Sequence, residues 1–189
     1  ILCLFVFCSL AQEQKSKSSS RAPRSKVYLL HSDLLRKDAV RPDAQIVVGN
    51  VKFRHDSMYM FCDSAYYYDK TGSFEAFSNV RMEQGDTLFI YGDHLFYDGY
   101  TQIAELRKNV RLENRNTQLY TDSLNYDRIA NLGYYFDGGT LMDEENVLTS
   151  DWGEYSPSTK QSVFNHDVKL VNPKFILTSD TLKYNTVSK

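Results

Sequence analysis

Five aspartates recur at a nearly fixed interval, Asp63, Asp93, Asp122, Asp151 and Asp180, spaced 30, 29, 29 and 29, with Asp33 a further 30 upstream. Stacked carboxylates can bind calcium, serve as the acids of a glycosidase, or turn back onto the main chain and accept N–H groups at a bend. The regular recurrence favours the bend, because a catalytic pair is needed once and not at every repeat. Four residues after each of these five stands a tyrosine, Tyr67, Tyr97, Tyr126, Tyr155 and Tyr184, a column that suits a core ladder better than a sugar-stacking platform. The four histidines, His31, His55, His94 and His166, show neither HxH nor HExxH spacing, and no CxxC is present, so a metal site has no support. There is no G-x-S-x-G elbow, P-loop or G-x-G-x-x-G, and Gly138-Gly139 is an isolated pair in an expected loop. The inventory predicts no catalytic residue, no metal, no cofactor, and a protein that is not an enzyme.

The elements that carry these columns are repeats of about 29 residues. Asn50-Val51-Lys52-Phe53, Asn79-Val80-Arg81-Met82, Asn109-Val110-Arg111-Leu112 and Asp167-Val168-Lys169-Leu170 align with valines 29, 30 and 58 apart. Turn residues punctuate the repeats, among them His55-Asp56-Ser57, Gln84-Gly85-Asp86, Asp98-Gly99, Asn114-Arg115-Asn116 and Asn172-Pro173. Between them the chain is rich in Tyr, Phe, Val, Leu and Thr and alternates with period two, as in Thr117-Gln118-Leu119-Tyr120-Thr121. Each repeat therefore reads as two strands and two turns, and the chain as all-β.

Parity adds a finer expectation. Met60, Ile90, Leu119, Leu148 and Leu177 stand three residues before each aspartate, an odd offset, whereas the tyrosines stand four after it. The two sets cannot share one face of a flat strand. Burying both predicts one extra residue near each aspartate, a bulge or corner, and the preceding residue is compact in every copy: Cys62, Gly92, Thr121, Ser150, Ser179. Asp63, Asp93, Asp122, Asp151 and Asp180 are thus the expected bend residues of a sheet folded over itself, with Arg81, Glu83, Lys108 and Arg111 outside. The apolar column, Met60, Ile90, Leu119, Leu148 and Leu177 with Leu95, Leu124 and Leu182, is expected inside.

Composition sets the outer bounds. The 189 residues are 42% hydrophobic and 24% charged, which suits a folded domain. The longest apolar run, residues 1–11, is too short to span a bilayer as a helix. That run ends in Ser9-Leu10-Ala11 and reads as a secretory signal, N-terminally incomplete for want of a Met and a basic region. Residues 12–26 hold five serines, five basic groups and Glu13, and read as a flexible leader. With the leader at +4 and the whole chain at −2, residues 27–189 carry −6, which disfavours nucleic-acid binding. Loss of Cys3 and Cys8 with the signal would leave Cys62 without a partner for a disulfide.

The phrases Pro42-Asp-Ala-Gln-Ile-Val-Val-Gly49-Asn-Val51, Gln84-Gly-Asp-Thr-Leu88, Tyr91-Gly-Asp-His-Leu95 with Tyr97-Asp98, and Ser179-Asp-Thr-Leu-Lys-Tyr-Asn185 resemble the OstA-like family. That family is kin to the periplasmic lipopolysaccharide-transport protein A and to the N-terminal domain of the outer-membrane assembly protein D. The aspartate and tyrosine columns resemble its Bacteroidetes-type branch. The resemblance covers residues 27–189 and implies an antiparallel β-jellyroll, open along one side, that can continue past Lys189. It further implies a periplasmic place in a Gram-negative envelope and lipopolysaccharide as ligand, its lipid A acyl chains sheltered in the apolar interior. The implied protein partners are other OstA-like jellyrolls stacked edge to edge. Two readings from other classes stand beside it: a non-catalytic β-repeat scaffold or surface-attachment module with a solid interior, and a parallel β-solenoid glycosidase using the aspartate column.

Overall fold

The computed structural model describes residues 26–188, and these are built from strands and turns. Fourteen strands form one sheet: β1 (Val27–His31), β2 (Leu34–Lys37), β3 (Gln45–His55), β4 (Met58–Tyr68), β5 (Ser73–Gln84), β6 (Leu88–Tyr97), β7 (Ile103–Asn114), β8 (Thr117–Asp127), β9 (Leu132–Tyr135), β10 (Gly139–Asp143), β11 (Asn146–Ser150), β12 (Trp152–Tyr155), β13 (Gln161–Asn172) and β14 (Phe175–Asn185). Every pairing is antiparallel. This is the expected all-β, antiparallel jellyroll of two-strand repeats, and it removes the parallel solenoid. The signal and most of the leader, residues 1–25, lie outside the described residues.

Each long strand is broken in the middle by a register shift, and the halves belong to two layers. In layer one lie Val51–His55, Met58–Cys62 and their equivalents, joined by short turns such as Asp56-Ser57. In layer two lie Ser64–Tyr68, Ser73–Phe77 and theirs. In the fourth repeat the break is complete, so that one strand becomes β9 and β10 and the next becomes β11 and β12; β10 and β11 continue layer one, β9 and β12 layer two. The layers face each other across an apolar interior: Phe53 of layer one stacks on Phe74 of layer two with ring centroids 4.2 Å apart.

The corner itself corrects one expectation. Burial changes phase on the aspartate strands as anticipated, with Cys62 and Ala65 both buried across Asp63. The extra residue by register, however, lies on the facing strand. Ser78 and Asn79 stand opposite Asp63 and Asp93, and Lys108 and Asn109 opposite Asp93 and Asp122. Both residues of each pair are left-handed, with φ of 62° and 51° in the first and 63° and 51° in the second. Gly49-Asn50 and His166-Asp167 repeat this, at 81° and 50° and at 64° and 47°. A two-residue left-handed bulge turns the strand sharply, and Asn and Gly tolerate that conformation best, which is why an Asn or Asp precedes each repeated valine.

The repeat lacking that valine shows how the core closes. Gly139 stands 29 residues after Val110, and Gly153 stands 29 after Leu124, so two core side chains are missing from one place. Tyr135 fills both positions: a Cβ on Gly139 would lie 2.5 Å from its Cζ, and one on Gly153 would lie 2.6 Å from its hydroxyl oxygen. Gly138-Gly139, expected in a plain loop, is thus a corner glycine at φ 82° followed by a strand residue pressed against a ring.

Candidate functional site

The apolar column lies between the layers. Met60, Ile90, Leu95, Leu119, Leu124 and Leu148 are 0–1% exposed and belong to one continuous hydrophobic cluster that runs from Val27 to Tyr184. Full burial of a side chain of this size contributes about 1.5–3 kcal/mol, so the column is first of all the core. The interior here is filled by the protein's own side chains, in contrast to the open trough implied by the resemblance. Only at the C-terminal end does the column emerge. Leu177 on β14 is 37% exposed and Leu182 is partly buried, because among the described residues β14 has β13 on one side only.

The open side expected of the jellyroll is closed by the tyrosines. Each swings its hydroxyl across the mouth between the layers to the tip of layer one that lies 40–42 residues upstream. Tyr67 O–H donates to the Val27 carbonyl at 3.2 Å, Tyr126 to Gln84 Oε1 at 3.3 Å, Tyr155 to Asn114 Oδ1 at 3.5 Å and Tyr184 to Asp143 Oδ2 at 2.7 Å. Tyr97 is 2.5 Å from His55 Nδ1. Arg128 Nη1 donates to the Tyr97 oxygen at 3.0 Å, and His55 Nε2 faces Asp56 Oδ2 at 3.9 Å. Arg128 Nη2 also reaches the His55 carbonyl at 3.0 Å.

Burial is the main influence on these phenols. It pushes Tyr67 and Tyr97 up to about 12, with Asp69 acting in the same direction on Tyr67 and Arg128 opposing it on Tyr97. Tyr126, Tyr155 and Tyr184 are raised by burial as well, Tyr184 further by Asp143. All five therefore stand protonated as donors at neutral pH. Lys160, whose Nζ donates to Asn114 Oδ1 beside the Tyr155 rung, is lowered by burial and by Arg115.

Four of the tyrosine partners form a column that the sequence reading missed. His55, Gln84, Asn114 and Asp143 follow one another at 29, 30 and 29 residues, and Asn172 continues the spacing 29 further on. Each ends an odd-numbered strand of its repeat or its equivalent, and the first, third and fourth are buried. The signal was present as a polar residue at a fixed phase, hidden because its type changes at every copy.

The aspartate column lines the outside of the corner. Asp33, Asp63 and Asp93 accept the side-chain amides of the bulge residues Asn50, Asn79 and Asn109 at 3.0, 2.7 and 2.6 Å. Asp122 Oδ1 accepts the Asn109 backbone N–H at 3.0 Å. Asp151 works through its main chain, with its N–H on the His166 carbonyl and its carbonyl accepting from Gly138, and Asp180 is exposed opposite His166-Asp167. Among the described residues no group of three or more His, Cys, Asp or Glu is placed to hold a metal. Arg81 pairs with Glu83 at 3.1 Å and lies over Phe61 at 4.4 Å, and Arg111 pairs with Glu113 at 3.2 Å and lies over Tyr91 at 4.6 Å. These charges cover the outer face.

Both ends of the sheet are apolar. β14 bonds only to β13 among the described residues and exposes Phe175, Ile176 and Leu177. At the other end β2, among the described residues, bonds only to β3 and exposes Leu34 and Leu35. Cys62 is buried, and burial pushes its thiol up to about 12, which leaves it unreactive.

The sequence matches the family described as OstA-like protein over residues 24–180. No curated protein matches the chain. Among solved structures, one similar chain is LptH, the LptA-homologous periplasmic component of the conserved lipopolysaccharide transport device from Pseudomonas aeruginosa. It is 12% identical, with 52% of this chain and 76% of that chain covered and a TM-score of 0.48.

Proposed function

The chain belongs to the OstA-like protein family, and from that premise we propose that it is a non-catalytic segment of a periplasmic lipopolysaccharide-transport bridge. The observation that carries the proposal is the family match across nearly the whole described domain. It is supported by an all-β sheet folded over an interior whose inward face is apolar along its full length. Exposing an acyl chain of about fourteen carbons to water costs roughly 10 kcal/mol at about 0.8 kcal/mol per CH₂. A lipid of several such chains therefore crosses an aqueous compartment only in a continuous apolar path, and shielding requires no nucleophile, metal or nucleotide. Met60, Ile90, Leu119, Leu148, Leu177, Leu95, Leu124 and Leu182 are the proposed walls of that path. The edges of β14 and of β1 and β2, without a strand partner among the described residues, suit stacking of like domains by strand addition.

Photo-crosslinking from position 90 or 119 in cells tests this. Lipopolysaccharide adducts are expected at both positions, and their absence along the whole column would overturn it. A second reading, a solid β-repeat scaffold, is favoured by the filled interior around Ile90 and Leu119. It predicts that a fluorescent lipid A shows no saturable binding to the purified chain.

A further inference from the structure

Along the outer face of layer one runs a row of side chains in which cations and rings alternate. By register Lys52, Phe61, Arg81, Tyr91, Arg111 and Tyr120 stand side by side on β3 to β8. Each arginine lies over the ring of the strand before it, Arg81 over Phe61 at 4.4 Å and Arg111 over Tyr91 at 4.6 Å. Each is also paired with a glutamate two residues on, Glu83 at 3.1 Å and Glu113 at 3.2 Å. Two residues before each arginine stands the corner asparagine, whose amide goes to the aspartate of that same preceding strand, Asn79 to Asp63 and Asn109 to Asp93. One motif, Asn-Val-Arg-x-Glu, thus gives a guanidinium to a ring and an amide to a carboxylate.

The next copy keeps the receiving groups and lacks the giving ones. Tyr120 and Asp122 on β8 stand 29 residues after Tyr91 and Asp93, but the stretch that aligns with Asn109-Val110-Arg111-Leu112-Glu113 is Gly138-Gly139-Thr140-Leu141-Met142. Thr140 is the register partner of Tyr120. It is too short to cover the ring, which is 38% exposed. Asp122 finds Gly138 in place of the asparagine, and its carboxylate is left with the Asn109 backbone N–H at 3.0 Å. Both open groups line one cavity of about 680 Å³, with Tyr91, Arg111 and Asp137 beside them. Asp137 is exposed, and Arg111 is already paired with Glu113, so the unmatched charge of the cavity is negative.

We propose that this cavity is a receptor for an arginine side chain of a partner polypeptide, whose guanidinium lies on Tyr120 and donates to Asp122 and Asp137. The chain itself shows the preference, since a guanidinium occupies both equivalent rings. A planar guanidinium stacks flat on an aromatic face and keeps its N–H edge for carboxylates, which the compact, strongly hydrated ammonium of lysine does less well. The site is on the outer face and is the same whether the interior carries lipid or is solid.

The test measures fluorescence anisotropy of a labelled Gly-Arg-Gly-Arg-Gly peptide against the full chain. Saturable binding is expected, weakened about tenfold by Tyr120→Ala and by citrulline in place of arginine. Thr140→Arg with Gly138→Asn restores the motif. A Cβ on Gly138 meets nothing within 4 Å, and asparagine tolerates its φ of 82°. The restored variant should have a higher urea midpoint and lose the peptide, because its own arginine takes the place. Asn116→Arg puts the same added charge in an exposed turn and should bind as wild type does. A peptide held equally by wild type and the restored variant, or lost equally with Asn116→Arg, responds to net charge alone and overturns the proposal. Absence of saturable binding overturns it too, as does cellotetraose binding at Tyr120 in place of the peptide, which would make the site one for sugars.

Discussion

A tyrosine brings one polar atom into an apolar wall, and in this protein the position of that atom settles what each tyrosine does. Tyr97 is fully buried, and its phenol is pushed up to about 12 chiefly by burial, with Arg128 pulling it down and Asp56 and Asp98 pushing it up. An unfolded tyrosine releases its proton near pH 10. Above about pH 10 the unfolded chain therefore binds fewer protons than the folded one. Stability should be level below that pH and fall as the pH rises toward about 12, by up to about 1.4 kcal/mol per pH unit for each such tyrosine. Urea midpoints measured from neutral to strongly alkaline pH check this, and Tyr97→Phe should make the alkaline fall shallower. Tyr135 illustrates a different role. Because its ring occupies the space of two missing side chains, Gly139→Ala should lower stability by about 1–3 kcal/mol through overpacking. Adding Tyr135→Leu to it should recover part of that loss, so the two changes should couple in a double-mutant cycle.

At the scale of the strand, the corner depends on backbone conformation as much as on hydrogen bonding. Asn109 holds φ at 51°, its side chain donates to Asp93 and its N–H to Asp122. A β-branched residue is poorly tolerated there, while glycine keeps the conformation and loses only the side-chain bond. Asn109→Val should therefore be less stable than Asn109→Gly by about 1–2 kcal/mol, measured by chemical denaturation. If the two variants were equally stable, the aspartate contact and not the left-handed bulge would define the corner. The sequence already placed a bend at each aspartate, because the phases of Met60 and Tyr67 conflict on one strand. It did not show that the surplus residue lies on the neighbour, since register is a relation between two strands and a phase count follows only one.

At the scale of the molecule, the two ends are apolar where the interior runs out. β14 carries Phe175, Ile176 and Leu177 on an edge without a partner among the described residues, and β2 carries Leu34 and Leu35 at the other. Long uncovered edges of this kind invite strand addition. Sedimentation at increasing concentration should show association of the chain, and Ile176→Lys with Leu177→Lys should hold it at the monomer mass. A wild type that stays monomeric at high concentration would count against stacking through this edge.

The all-β antiparallel architecture with two strands per repeat was legible in the residues, because alternation and turn chemistry are local. The tertiary structure alone decided where each tyrosine reaches. A flat sheet folded along a straight crease would bring Tyr97 to Gln84 in its own repeat; it meets His55 in the repeat before. Strands rotate against one another by about 20–25° on average, and the rotation accumulates across neighbours, so the layers meet about one repeat out of step. That offset closes the mouth, buries the column His55, Asn114 and Asp143 that no single motif marked, and makes the inside a packed core.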